Sequence, residues 1–392
     1  MFKQTAAITA MNLRGLTQRL GPSSVIVIGI AVTVAVLVSV QAMALGFQKT
    51  LSHTGRPDRA IVLRGGSEAE LNSTISRENT LTIMDGPGIR KDADGKPLAS
   101  AEAVAIVALP QKSNDAPANV TMRGVGAKAF ALRPEIHLVA GRMFQPALRE
   151  IIVGTSAQAQ FKGLELGSHI GIRDSDWTVV GVFDSNGDAH QSELIGDVET
   201  VLSAFRHNLF HSVTVMLESP EAFDHFKDAL TTDPTLTVDV EREPDYYAKQ
   251  SKQLSTVLNF VAYFVGGIAA IGAIVGALNT MYTSVAARAL EIATLRAIGF
   301  GAGSVIASVM LEALLLALIG AALGATASWI FFNGNTVNTL GSNFSQIVFQ
   351  LTVSPVLLIW GVVWACFIGL IGGLFPAIRA ARLPVAAALR AT

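Results

Sequence analysis

His207 and His211 stand four apart, a spacing that on one helix face could aim two imidazoles at a single metal ion. They straddle an expected change from helix to strand, and no acidic ligand is close in sequence, so polar surface histidines are the simpler expectation. Glu312 is the one carboxylate inside a long apolar stretch, where an ionisable group is a functional candidate by default. A lone carboxylate makes a poor proton relay; a structural pairing with Arg296 or a neighbouring helix suits it better. No GxxxxGK[ST] loop, H-E-x-x-H pair, paired cysteine or nucleophile elbow occurs, so the chain itself carries no nucleotide-hydrolysing or nucleophilic motif of those kinds. What remains is a short charged island at 288–300, RALEIATLRAIGF. Apart from Glu312, its Arg288, Glu291 and Arg296 are the only charged side chains between Lys252 and Arg379. Charges are costly in a bilayer, so the island is expected just outside one, where its mixed-charge helix suits docking onto another protein.

The elements that would hold this island follow from composition. The 392 residues are 51% apolar and only 15% charged, against about a quarter charged in an ordinary soluble protein. Residues 47–254 hold 21 of the 29 Lys/Arg and 28 of the 30 Asp/Glu, and the flanks hold 8 basic and 2 acidic residues. Water is therefore expected around the middle and lipid around the flanks. Four windows, 23–46, 254–282, 305–332 and 355–378, supply the roughly 20 residues that a spanning helix needs. The eight basic residues of the flanks (Lys3, Arg14, Arg19, Arg288, Arg296, Arg379, Arg382, Arg390) then fall on one side, and the 333–354 loop has none. The positive-inside rule puts both termini and the 283–304 segment in the cytoplasm, with 47–253 and 333–354 outside. Ala42-Met43-Ala44 imitates a signal-peptide cleavage site, but the long segment before the apolar run and the length of that run favour a retained span.

Within the outer segment, β-rich runs at 60–63, 103–109, 119–123, 151–153, 169–172, 177–183, 212–217 and 235–240 alternate with helical patterns at 157–162, 198–205, 221–231 and from 245 into the second span. A mixed α+β domain is expected, with two subdomains meeting near Gly141 or Ile151. Its negative charge argues against nucleic acid as a partner. Residues 1–22 place Ile8, Met11, Leu16 and Leu20 at helical spacing, as in a helix lying along the inner membrane surface. Gly272 and Gly276, and likewise Gly320 and Gly324, are four apart, the spacing at which membrane helices approach closely, within one subunit or between two. The single Cys366 reads as a packing residue.

The order of amphipathic start, span, domain of about 200 residues and three further spans resembles the MacB-type, FtsX-like permeases of ABC transporters. The island resembles that family's signature between spans two and three, with Arg288, Glu291, Ile292, Arg296 and Gly299 at matching places. VAGRMF at 139–144, EIIVG at 150–154, LGSHIGI at 166–172 and WTVVGVF at 177–183 are similar to its periplasmic core, and FPAIRAARLPVAAALR at 375–390 to its closing helix and tail. The tail has Leu383-Pro384 and Ala386-Ala387-Ala388 where many members carry acidic residues.

The resemblance implies a fold of four transmembrane helices in the inner membrane with a large MacB-like periplasmic domain between spans one and two. It implies no cofactor in this chain, ATP and Mg being bound by a partner ATPase, and it implies a dimer with a second copy or paralogue. The island becomes a coupling helix, with Arg288, Glu291, Ile292, Leu295, Arg296 and Gly299 contacting that ATPase. Val285, Ala289, Ile292 and Leu295 or Arg296 fall near one helix face, whose apolar part would seat in the partner while the charges set its orientation. Polar-to-apolar runs at 43–51 and 245–258 would extend their helices as a stalk. Further partners the resemblance allows are a periplasmic adaptor with an outer-membrane duct, for export, or a lipoprotein carrier, for extraction as in the lipoprotein-releasing permeases. A reading from another class is a membrane-anchored sensor or scaffold that binds a ligand without ATP-driven work.

Overall fold

The computed structural model describes residues 20–341 and 345–382. The amphipathic helix expected over 1–22 falls almost wholly outside them, as do the tail from 383 and its Leu383-Pro384 departure. In chain order the first elements are α1 (Leu20–Ser52), β1 (Arg59–Arg64), α2 (Arg77–Met84), β2 (Ala99–Pro110), β3 (Pro117–Val125), α3 (Ala129–Leu132) and β4 (His137–Gly141). Next come β5 (Glu150–Gly154), α4 (Thr155–Gln160), β6 (His169–Ile172), β7 (Ser175–Asp184), β8 (Leu194–Asp197), α5 (Val198–Phe205), β9 (Ser212–Met216), α6 (Ala222–Thr231) and β10 (Val238–Arg242). The chain closes with α7 (Glu243–Ala287), α8 (Ala289–Ala297), α9 (Ala302–Phe332), β11 (Thr336–Leu340), β12 (Gln346–Gln350) and α10 (Pro355–Ala381). Among these, α1, α7, α9 and α10 are long and apolar enough to cross a membrane. Contacts divide the chain into a helical unit and a sheet domain, the latter formed by Gly46–Ser255 with Thr336–Gln350.

In the helical unit, small residues let backbones approach. A Cβ on Gly320 would lie 2.8 Å from the Val27 carbonyl, and one on Gly324 would collide with that of Ala31, so both glycines seat α9 on α1. The same device recurs where α10 meets its neighbours: a Cβ on Gly369 would meet Ala317 at 2.6 Å, one on Gly373 would meet Ala313 at 2.6 Å, and one on Gly372 would meet Ala277 at 2.7 Å. Gly369 and Gly373 are themselves four apart, a pair the sequence reading passed over. Gly272 and Gly276 behave differently, with nothing within 4 Å of either; Ala273 and Ala277 are the buried residues of that stretch of α7. Gly320 and Gly324 thus pack within this chain, whereas Gly272 and Gly276 stand about 100° round α7 from the buried Ala273 and Ala277, where a Cβ would meet no neighbour. Both polar flanks continue their spans as helix, α1 through Ser52 and α7 from Glu243. At ~1.5 Å per residue the 45 residues of α7 extend for roughly 68 Å, well beyond a hydrocarbon core of about 30 Å.

The sheet domain is built on one ten-stranded sheet, ordered β10-β1-β9-β2-β3-β8-β5-β7-β4 with β6 on β7. Most pairings are antiparallel; β3 with β8 and β5 with β7 are parallel. The sheet runs unbroken past the suggested boundary: β4 and β5, on either side of it, both flank β7. The 333–354 loop is not irregular. Its β11 and β12 pair from Thr336–Gln350 to Leu340–Gln346, and the hairpin belongs to the sheet domain. Thr121 Oγ1 donates to Ser345 Oγ at 2.6 Å, Gln111 Nε2 donates to Gln346 Oε1 at 2.8 Å, and the Phe47 and Phe349 rings meet edge-on at 5.5 Å.

Charge is buried in this domain on an unusual scale. Arg123 Nη1 lies 2.8 Å from Glu70 and 2.9 Å from Glu102, and its Nε lies 2.8 Å from Glu193. Arg133 pairs with Glu102, and Arg59 pairs with Glu135 at 2.6 Å and with Glu243. Glu70, Glu102 and Glu193 together take the Nε, Nη1 and Nη2 donors of Arg123, whereas Arg59 also donates to the Leu132 carbonyl and Arg133 Nε is buried with no hydrogen-bond partner. Burial alone would raise the Glu193 and Glu70 carboxyls; the Arg123 guanidinium outweighs it and holds both below the usual range.

Candidate functional site

The island forms its own helix. The α7 helix stops at Ala287, Arg288 departs from helical geometry at φ −107° and ψ 12°, and α8 restarts at Ala289. Glu291 in the first turn and Arg296 in the last complement the helix dipole. The end is set by Gly299, at φ +98°. Its N–H donates to the Arg296 carbonyl and that of Phe300 to the Leu295 carbonyl, both at 3.1 Å, a paired closure that requires a left-handed residue.

Two rows of side chains at i, i+4 spacing face opposite ways. Arg288, Ile292 and Arg296 point inward. Arg288 Nη1 lies 2.9 Å from Glu312 of α9, with both side chains about nine-tenths buried. Ile292 packs in the core shared by Val285, Val305, Val309 and Ala377. Arg296 Nη1 donates to the Ala381 carbonyl of α10 at 2.7 Å. Arg379 of α10 adds a cation–π contact 5.4 Å from the Tyr282 ring of α7. Leu290, Thr294 and Ile298 form the outward row, joined by Glu291; Leu290 is 46% exposed and Ile298 70%. Glu291 stays within 3.4 Å of Arg288 Nε while its side chain is half exposed.

This arrangement corrects the expected faces. Val285 and Ile292 do not wait for a partner's groove, since spans of the same chain already cover them; Leu295 is half-buried, and Gly299 is exposed as a cap. Glu312 meets Arg288, not Arg296, because Arg296 sits two turns further along the helix and reaches α10. Leu290 and Ile298 of the outward row are not among the residues singled out in the sequence, since nothing in their type sets them apart from the apolar residues around them. Noticing that both arginines share a row with Ile292 would have identified it. The histidine pair stays together, its ring centroids 5.6 Å apart, but His211 is buried, not a surface residue, and its Nδ1 accepts from the Val104 N–H at 3.2 Å; no cluster of three metal-ligating groups occurs among the described residues.

Comparison with known proteins agrees with this layout. The model of the MacB-like periplasmic core domain matches residues 23–233, and that of the FtsX-like permease C-terminal region matches 263–385. The uncharacterized ABC transporter permease YknZ of Bacillus subtilis is 22% identical over 98% of this chain and 97% of its own length. The uncharacterized ABC transporter permease MJ1507 of Methanocaldococcus jannaschii is 24% identical over 59% of each chain. The macrolide export ATP-binding/permease protein MacB of Hahella chejuensis is 24% identical over 80% of this chain, which spans about half (52%) of that relative's length. Among solved structures, the extracellular domain of YknZ aligns over 47% of this chain and 99% of its own at 16% identity and a TM-score of 0.37. With both halves matched, the chain belongs to the ABC transporter permeases that pair a MacB-like periplasmic core with an FtsX-like membrane region.

Proposed function

We propose that this chain is the permease subunit through which a partner ABC ATPase works on a substrate at the outer face of the inner membrane. In this reading both termini and α8 are cytoplasmic, and the sheet domain is periplasmic. The observation that carries it is the division of α8 into an anchored row and an offered row. Arg288, Ile292 and Arg296 fix the helix to the ends of α9 and α10, and Leu290, Glu291, Thr294 and Ile298 are left for a partner. A helix held on one side and apolar on the other transmits force instead of merely terminating a span. ATP and Mg belong to the partner, two permease copies or paralogues form the assembly, and the work is export or extraction of cargo.

The test is capture of the ATPase by the full-length chain in lipid nanodiscs. Leu290→Glu with Ile298→Glu abolishes capture and nucleotide-dependent transport while leaving the chain folded. Undiminished capture in that variant, or no ATPase bound by the unaltered chain, overturns the reading and favours a sensor or scaffold.

A further inference from the structure

The sheet domain receives the chain at three places: the end of α1, the start of α7, and the β11–β12 hairpin. All three meet one short turn, residues 188–193. At the first, the Ala189 N–H donates to Thr54 Oγ1 at 3.0 Å, just past α1. At the second, the Tyr247 hydroxyl of α7 lies 3.4 Å from His190 Nε2, with the two rings edge-on at 5.9 Å. At the third, the Val348 N–H of β12 donates to Ser192 Oγ at 3.0 Å. The turn is in turn tied to the sheet. His190 Nδ1 lies 3.0 Å from Glu193 Oε2, Glu193 takes Arg123 of β3 through both oxygens, and the Gly154 N–H at the end of β5 donates to the Glu193 carbonyl at 3.0 Å. A Cβ on Gly154 would run into the backbone of Gln191, so strand and turn are in closest approach.

We propose that this turn, with His190 at its centre, is the junction through which all three connections grip the sheet domain together. Segments separated by more than a hundred residues would otherwise be held independently. Here the end of α1, the first turns of α7 and the hairpin share six residues, and those residues are locked to the sheet through Arg123. A displacement of any one connection is felt by the same turn, and a displacement of the turn is delivered to β3 and β5. His190 is a positioning residue in this scheme, acting through Glu193 and Tyr247. Its part in transmitting ATP-driven motion rests on the function proposed above; its part in holding the three segments does not.

Hydrogen exchange of the full chain in nanodiscs, without any ATPase, tests the grip. His190→Ala is expected to speed amide exchange about tenfold in residues 49–56, 243–250 and 345–350 together. His190→Gln, which keeps a donor for Glu193, restores most of the protection. Ser192→Ala removes one hydroxyl and no fold, and is expected to loosen all three segments by about threefold. Acceleration confined to the segment whose contact was removed overturns the proposal. A second arm adds the captured ATPase with Mg-ATP and vanadate. The unaltered chain then changes exchange in β3 and β5, and Ser192→Ala blunts that change. An unblunted response overturns the junction as a transmitter; no vanadate response in the unaltered chain overturns the coupling reading, while the first arm still judges the grip.

Discussion

The two units of this protein bury charge in contrasting ways. In the helical unit, the buried ion pair among the described residues is Arg288 with Glu312, at the head of α8. In the sheet domain, Arg59, Arg123 and Arg133 are enclosed with Glu70, Glu102, Glu193 and Glu243, and two of these carboxylates, Glu102 and Glu243, each serve two arginines. An isolated pair is a separable fastening between two helices. A shared network is a single object, in which losing any member strands the rest. The contrast matches what each unit is asked to do. The helical unit must hold one short helix against α9, whereas the sheet domain must fix several incoming segments around one point.

The contrast is broken most directly at Arg123. Arg123→Met leaves Glu70 enclosed without its cation and strips Glu102 and Glu193 of one partner each, and is expected to cost about 5 kcal/mol, enough to unfold the domain. Limited proteolysis of the full chain would then cut within 59–242 while sparing the helices. Adding Glu102→Gln should not restore it, because Glu70 and Glu193 stay charged and Arg133 loses its own partner. A stable single variant would show that the network is a set of independent pairs.

Arg288→Met provides the matched experiment in the helical unit. It leaves Glu312 buried alone and should lower unfolding stability by about 3–5 kcal/mol. Here the double variant Arg288→Met, Glu312→Leu should recover nearly all of it, since well-packed apolar residues replace a simple buried pair at little cost. Thermal unfolding in nanodiscs reads both. Failure of the double variant to recover would make this pair part of something larger.

Packing gives the next contrast, inside the helical unit. Gly324→Leu forces a side chain into the Ala31 backbone and should cost about 2–3 kcal/mol. Gly276→Leu points into open space and should stay within about 0.5 kcal/mol of the unaltered chain. If Gly276→Leu instead changes the mass of the assembly with monomer stability unchanged, that face of α7 meets a second copy.

These glycines also show how far the sequence could be read. Both GxxxG spacings were visible, but spacing carries no azimuth: only the packed helices show that Gly324 faces α1 and Gly276 does not. The strands rich in β-branched residues were legible because alternation is a local signal, as at 177–183. β8 and the β11–β12 hairpin were not, since LIGD is too short and NTVNTL too polar to announce themselves. The island was legible as a break in two apolar runs, and its inward row was not, because Glu312 and the Ala381 carbonyl lie far off in the chain. The charge network left no trace in sequence at all, its members being scattered from Arg59 to Glu243 with no motif among them.

The smallest effect separates two buried histidines by the sign of their response to pH. Burial alone would push His190 down, but the Glu193 carboxylate at 3.0 Å, with Asp188 behind it, outweighs both burial and the repulsion of Arg133 and holds the imidazole above its usual value. The folded state therefore binds a proton that the unfolded state releases, so this contribution is full below about pH 6.5 and is lost as pH rises through the folded value. His211 runs the other way. Burial first, then His207, depress it to about 4, and its Nδ1 is occupied as an acceptor. Its contribution is present above about pH 6.5 and is lost as pH falls toward 4. The sheet domain should thus show a stability maximum near pH 6.5, measured by denaturant unfolding of the full chain followed at Trp177. His190→Gln flattens the alkaline limb and leaves the acid limb, whereas His211→Gln does the reverse. If both limbs move with either variant, the two histidines belong to one titrating cluster, and the network around Arg123 extends as far as His211.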